Sequence, residues 1–99
     1  MLAGYSVDAY NRLPSTKVNG ITIPGVLAFV KTIDCDMQPY SSERFMRDYG
    51  YQIEVTKRFF IEDITDLKIG TVLQYGTEKH EIKKIISWDI FEVMTLEVT

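Results

Sequence analysis

This 99-residue chain has one cysteine, Cys35, and one histidine, His80. A single cysteine excludes an internal disulfide and fits a reducing compartment. No stretch approaches the roughly 18 apolar residues of a membrane helix. The opening, MLAGYSVDAYNRLP, lacks the basic and apolar regions of a signal peptide, so none is expected. Basic charge is also short: 11 Lys and Arg stand against 14 Asp and Glu, a net charge of −3. That balance argues against a freestanding nucleic-acid binder, which needs a basic face. The catalytic signatures G-x-S-x-G, H-E-x-x-H, G-x-G-x-x-G and the P-loop are all missing.

What is present is a small globular composition. Hydrophobic residues make up 45% of the chain, and six Tyr, five Phe and one Trp argue against disorder. The length suits a single domain over residues 1–99. Residues 1–24 contain Gly4, Pro14, Gly20 and Pro24, and Asn19-Gly20 favours a tight turn. They read as an extended arm or loose hairpin ahead of a core over 25–99. Val26–Val30 is apolar on both faces, which predicts a strand covered on both sides. Either a neighbouring subunit or the N-terminal arm would supply the second cover.

A short helix is expected over about 42–49. Ser41 suits the N-cap, Tyr40 and Phe45 the two positions of a hydrophobic staple, and Glu43 the first turn. Phe45 and Tyr49 share a face, and Gly50 suits the left-handed residue that ends a helix. From Tyr51 the period becomes two. Tyr51, Ile53, Val55, Phe59 and Ile61 lie on one side, with Lys57 and Phe60 out of phase as at a bulge. Asp63 and Asp66 suit the turns of the connector at 62–70. Two strands joined near Gly76–Lys79 follow, with His80, Ile82 and Ile86 on one face. The last strand changes apolar phase between Val93 and Met94. The fold class is therefore mainly all-β: a small antiparallel barrel or sandwich of five or six strands with one short helix.

The chemical candidates are weak. His80 reads as a strand residue at a barrel rim rather than a base or metal ligand. Asp34 and Asp36 share one side of a strand but have no third acid near in sequence. Lys57-Arg58 and Lys83-Lys84 place their members on opposite faces, so they build no basic stripe. No catalytic residue, metal or cofactor is expected, and an enzyme is not.

The order of elements over roughly residues 26–98 resembles the head–tail joining proteins of tailed bacteriophages, also called head-closure, stopper or adaptor proteins. The first mark is an apolar strand running into Gln38-Pro39-Tyr40-Ser41-Ser42-Glu43, followed by a short helix and a strand to Ile61. The second is Ile69-Gly70, Leu73-Gln74-Tyr75-Gly76 and His80-Glu81-Ile82, closed by Met94–Val98. The family often has Gly where Ser42 stands and an aromatic where His80 stands. The resemblance implies a small barrel that joins a ring with other copies, between the portal and adaptor proteins on one side and tail proteins on the other. The ring would help retain packaged DNA, which passes through the channel without specific binding. No membrane is involved. The location implied is the virion, at the head–tail interface, after synthesis in the bacterial host cytoplasm.

On this reading the helix is a joint that carries the chain across a barrel end. The interface residues expected are Arg12, Lys17, Tyr40, Arg44, Arg47 and Asp48. The alternative is a small-barrel binding module, SH3-like or oligonucleotide-binding-like, for peptide or single-stranded nucleic acid.

Overall fold

The structure, a computed structural model, describes residues 4–23 and 25–98. Eight strands and one helix follow in order: β1 (Tyr5–Arg12), β2 (Thr16–Val18), β3 (Ile21–Ile23), β4 (Leu27–Pro39), α1 (Ser42–Tyr49), β5 (Lys57–Ile61), β6 (Val72–Tyr75), β7 (Glu78–Ser87) and β8 (Phe91–Val98). Six of them close an antiparallel barrel in the order β1-β4-β5-β8-β7-β6, and β2 and β3 form a separate hairpin. The mainly-β barrel with one short helix is thus the observed architecture.

Val7, Ala9, Ile33, Cys35, Phe59, Ile61, Leu73, Ile82 and Val93 fill the barrel. Burial, then the nearby Asp36 and Asp34 charges, push the Cys35 thiol up to about 11, so it is a core residue and not a nucleophile. A second apolar cluster lies outside the wall: Tyr40, Phe45, Val55 and Met94, with Tyr49, Ile53 and Ile86 against it. Strand β8 is therefore covered on both sides, Val93 by the barrel interior and Met94 by the helix. That two-sided burial explains the phase change read between Val93 and Met94.

The arm boundary needs correcting. Tyr5–Arg12 is a barrel strand, paired along β4 from Tyr5↔Cys35 to Arg12↔Leu27 and with β6 through Asp8–Tyr10. Its alternation places Val7 and Ala9 inward, fully buried; the polar Asp8 and Asn11 between and after them hid that pattern. Only the hairpin stands free. Residues 1–3 and Pro24 of the expected arm lie outside the described residues.

Three strand readings also change. The chain from Tyr51 to Thr56 is not strand, and β5 begins at Lys57. Its registers with β4 and β8 run without a shift, so no bulge falls at 57–60. The bulges lie elsewhere, at Ala9/Tyr10 of β1 against β4 and between Ile82 and Lys84 of β7. The second reverses the facing of β7: His80 and Ile82 point into the barrel, while Ile86 joins the outer cluster. Val26–Val30 is not covered on both sides either, because Val26 and Phe29 are exposed.

Candidate functional site

Chain chemistry directs attention to three places: the free hairpin, the helix joint and the polar end of the barrel. The hairpin forms because Asn19 (φ 51°) and Gly20 (φ 79°) both occupy the positive-φ region that a two-residue turn of this twist requires. Pairing of Thr16↔Ile23, Lys17↔Thr22 and Val18↔Ile21 sorts the side chains. Val18, Ile21 and Ile23 share one face with Thr16, and Lys17 and Thr22 share the other. All six residues are exposed.

The base of the hairpin is pinned. Leu13 N–H donates to Val26 O at 2.9 Å, and Arg12 Nη1 donates to Gly25 O at 3.1 Å. A Cβ at Gly25 would sit 1.7 Å from Leu13 O, so only glycine fits this neck. Exposed Leu13, Val26 and Phe29 continue the apolar surface from hairpin to barrel. The molecule measures 47 × 29 × 24 Å, with a radius of gyration of 14.5 Å. A compact 99-residue domain gives about 13 Å, so the arm projects.

The helix joint is built as its sequence predicts. Ser41 Oγ accepts from Arg44 N–H at 3.0 Å, and Gly50 (φ 82°) returns its N–H to Met46 O. Tyr40 sits edge-on to Phe45, with centroids 6.4 Å apart, and Tyr49 lies 4.9 Å from Phe45 on the other side. Ser42 Oγ accepts from Val55 N–H at 3.0 Å and holds the returning chain to the helix. A glycine at 42 could not make that clasp. Ser41→Ala should cost about 1 kcal/mol of stability, measured by chemical denaturation.

The joint does not cross a barrel end. Its contacts with Met94, Ile86 and Glu92 place the helix along the outer wall of β7 and β8. There a polar network ties five segments together: β4, α1, β5, the β7–β8 turn and β8. Arg58 Nη1 lies 3.3 Å from Glu92 Oε2, and Arg58 also donates twice to Gln38 Oε1. Tyr49 Oη donates to Glu92 Oε1 at 2.9 Å, and Trp88 Nε1 donates to the same oxygen at 3.1 Å. The Arg58 guanidinium stacks 4.8 Å over Tyr40. Burial, then the bond to Glu92, pushes the Tyr49 phenol up to about 12; burial and Asp48 push Tyr40 further up.

The expected interface residues therefore divide. Tyr40 is buried and bonds Asp48 through its hydroxyl at 2.9 Å, so it belongs to the joint. Asp48 is also 3.7 Å from Arg44, which lies over the Tyr40 ring. Arg47 is exposed on the helix, while Arg12 and Lys17 belong to the projecting arm. The structure brings Tyr40, Arg44 and Asp48 together and keeps Arg12 and Lys17 apart from them. Sequence reasoning missed Arg58 and Glu92 as the centre of the network. Their positions across β5 and β8, at Arg58↔Met94 and Phe60↔Glu92, become adjacent only through pairing.

At the opposite end of the barrel from the hairpin, Lys57 points inward and its ammonium lies 2.8 Å from Glu78 Oε1. Glu78 Oε1 also lies 3.1 Å from His80 Nε2, and His80 is fully buried against Phe59. His80 thus lies near this end of the barrel but faces its interior, and the group explains why Lys57 falls out of phase. His80 Nδ1 has no partner, so a second N–H there would be unsatisfied. Burial accordingly lowers the His80 pKa from its usual 6.5 despite the Glu78 bond, and Lys57 adds to the lowering while Glu78 and Glu97 oppose it. The hydrogen bonds from Lys57 and His80 lower the Glu78 carboxyl from its usual value.

The unfolded chain thus binds more protons than the folded one between the folded and unfolded histidine values. Stability should fall as pH drops below about 6.5 and level off below the folded value. Urea denaturation across pH 7.5 to about 5 checks this, and His80→Phe should flatten that window.

The described residues hold no group of three or more His, Cys, Asp or Glu able to take a metal ion. None of their helices is long and apolar enough to cross a membrane. Fold and surface together define a small closed β-barrel carrying a projecting, apolar β-arm. No protein-family model matches the sequence, and no curated protein matches it.

Proposed function

We propose that this protein is a structural subunit of a tailed-bacteriophage head–tail connector, assembling with copies of itself into the ring that joins portal and adaptor to tail. The observation that carries the reading is the arm. Val18, Ile21 and Ile23 form an exposed apolar face that covers nothing among the described residues. An isolated two-stranded hairpin is marginal in water, and a partner that covers this face would stabilise it. The Gln38–Glu43 segment that carries the family resemblance is a strand-to-helix junction with Arg44 and Arg47 on the outer side. Net charge of −3 suits a DNA conduit, since a surface that bound phosphates tightly would slow passage of the polyanion.

Ile21→Asp with Ile23→Asp tests the reading without touching the core, because both side chains are exposed. The double variant should keep wild-type stability within about 0.5 kcal/mol and lose co-sedimentation with cognate portal–adaptor complexes. Undiminished co-sedimentation would count against the arm as the contact. Exposed Trp88 favours the second reading, a module that binds peptide or single strands by stacking. Quenching of Trp88 fluorescence by oligonucleotides or peptides at micromolar concentrations would support that reading instead.

A further inference from the structure

Strand β4 runs on past its barrel neighbour β5. Strand β4 pairs with β1 through Leu27–Cys35, but with β5 only through Asp36–Pro39. On the β5 side, Leu27–Cys35 therefore presents an edge about 30 Å long with which no strand among the described residues pairs. Unpaired edges recruit strands unless a protein blunts them. This one carries LAFVKTIDC, with Phe29 exposed and one lysine, Lys31. The chain leaves β5 at Ile61 into Glu62 and Asp63, with Asp63 near enough to Lys31 for the lysine to help lower it, and Asp34 lies at the far end of the edge.

Basic charge is concentrated in the stretch that holds both the hairpin and this edge. Between Asp8 and Asp34 the sequence carries Arg12, Lys17 and Lys31 and no acid, a local charge of +3. The whole chain is −3, so the remainder carries −6. The β2–β3 hairpin has unpaired outer edges, an apolar face and Lys17 on its other face.

We propose that the open β4 edge of one copy takes the β2–β3 hairpin of a second copy by strand addition. Val18, Ile21 and Ile23 then cover the apolar surface at Phe29, and Lys17 faces Glu62 and Asp63. Main-chain hydrogen bonds supply the affinity, and alternate side chains fix the register. Donor and receptor are different surfaces, so the contact repeats from copy to copy, and it closes a ring when the rotation per copy completes a full turn. The inference rests on the reading that the chain assembles with itself, and it adds the surface that receives the arm.

Two differently tagged full-length copies, one carrying Thr22→Cys and one Lys31→Cys, are mixed on portal–adaptor complexes and oxidised; Cys35 is buried and stays inert. A mixed disulfide between the two tags is expected. Adding Ile21→Asp to the Thr22→Cys copy should lower its yield at least tenfold. A parallel mixture replaces Lys31→Cys with Met46→Cys on the helix. Assembly with cross-linking to Met46→Cys and none to Lys31→Cys would overturn the β4 edge and leave self-assembly standing. Failure of the wild-type chain to assemble on the complex would overturn both.

Discussion

Phe45→Ala lowers the unfolding free energy by about 3–5 kcal/mol, the range for removing a buried aromatic ring. Phe45 is fully buried and is the only buried residue that α1 contributes. Tyr40, Tyr49 and Tyr51 all pack on its ring, the last edge-on with centroids 5.2 Å apart. An eight-residue helix has no stability of its own, so it stays folded only through this packing. Truncation opens a void between Tyr40, Val55 and Met94 and exposes the outer face of β8. Phe45→Leu keeps most of the apolar volume and should cost about half as much. Chemical denaturation gives both values. Equal stability of wild type and Phe45→Ala would mean that the helix is not anchored on the wall.

The second large effect belongs to the pair Arg58 and Glu92. Their side chains are only 16% and 7% exposed, so each charge depends on the other for compensation. Removing one partner from such a pair costs about 3–5 kcal/mol, because the remaining charge stays desolvated. Arg58→Ala also releases Gln38 and uncovers Tyr40, so about 3 kcal/mol is expected even with some solvent reaching the arginine. Glu92→Gln keeps the shape, leaves an oxygen for Tyr49 and Trp88, and should cost less. Replacing both by methionine should recover much of the single-mutant loss. A double-mutant cycle in denaturant measures the coupling, and Trp88 emission reports locally, since its indole N–H bonds Glu92. Purely additive effects would show that the pair is not coupled.

The helix was legible in sequence because its signals are local. Ser41, Phe45, Tyr49 and Gly50 specify cap, staple, buried stripe and stop within ten residues of one another, and each takes its expected place. The hairpin turn was legible for the same reason, through Asn19-Gly20. What failed was non-local. Bulges at β1/β4 and at Lys83 change which way Phe29 and Ile86 face, and no single-strand pattern reveals where a partner gains a residue. The segment Tyr51–Thr56 alternates like a strand because Ile53 and Val55 pack beneath the helix, not because it pairs in a sheet. Lys57 read as an error of phase, and only the approach of Glu78 and His80 from β7 gives it a reason to point inward. Of the candidate interface, the arm and the helix were legible as segments; that Tyr40 is internal and that Arg58 and Glu92 hold the joint required the strand register.

The central claim is that the projecting arm and barrel are an assembly unit for a connector ring. Electron microscopy of portal–adaptor complexes, alone and after incubation with the purified protein, tests it most directly. Added density in a closed ring beneath the adaptor, absent with the Ile21→Asp/Ile23→Asp variant, is the result predicted. Complexes unchanged by saturating wild-type protein would contradict it.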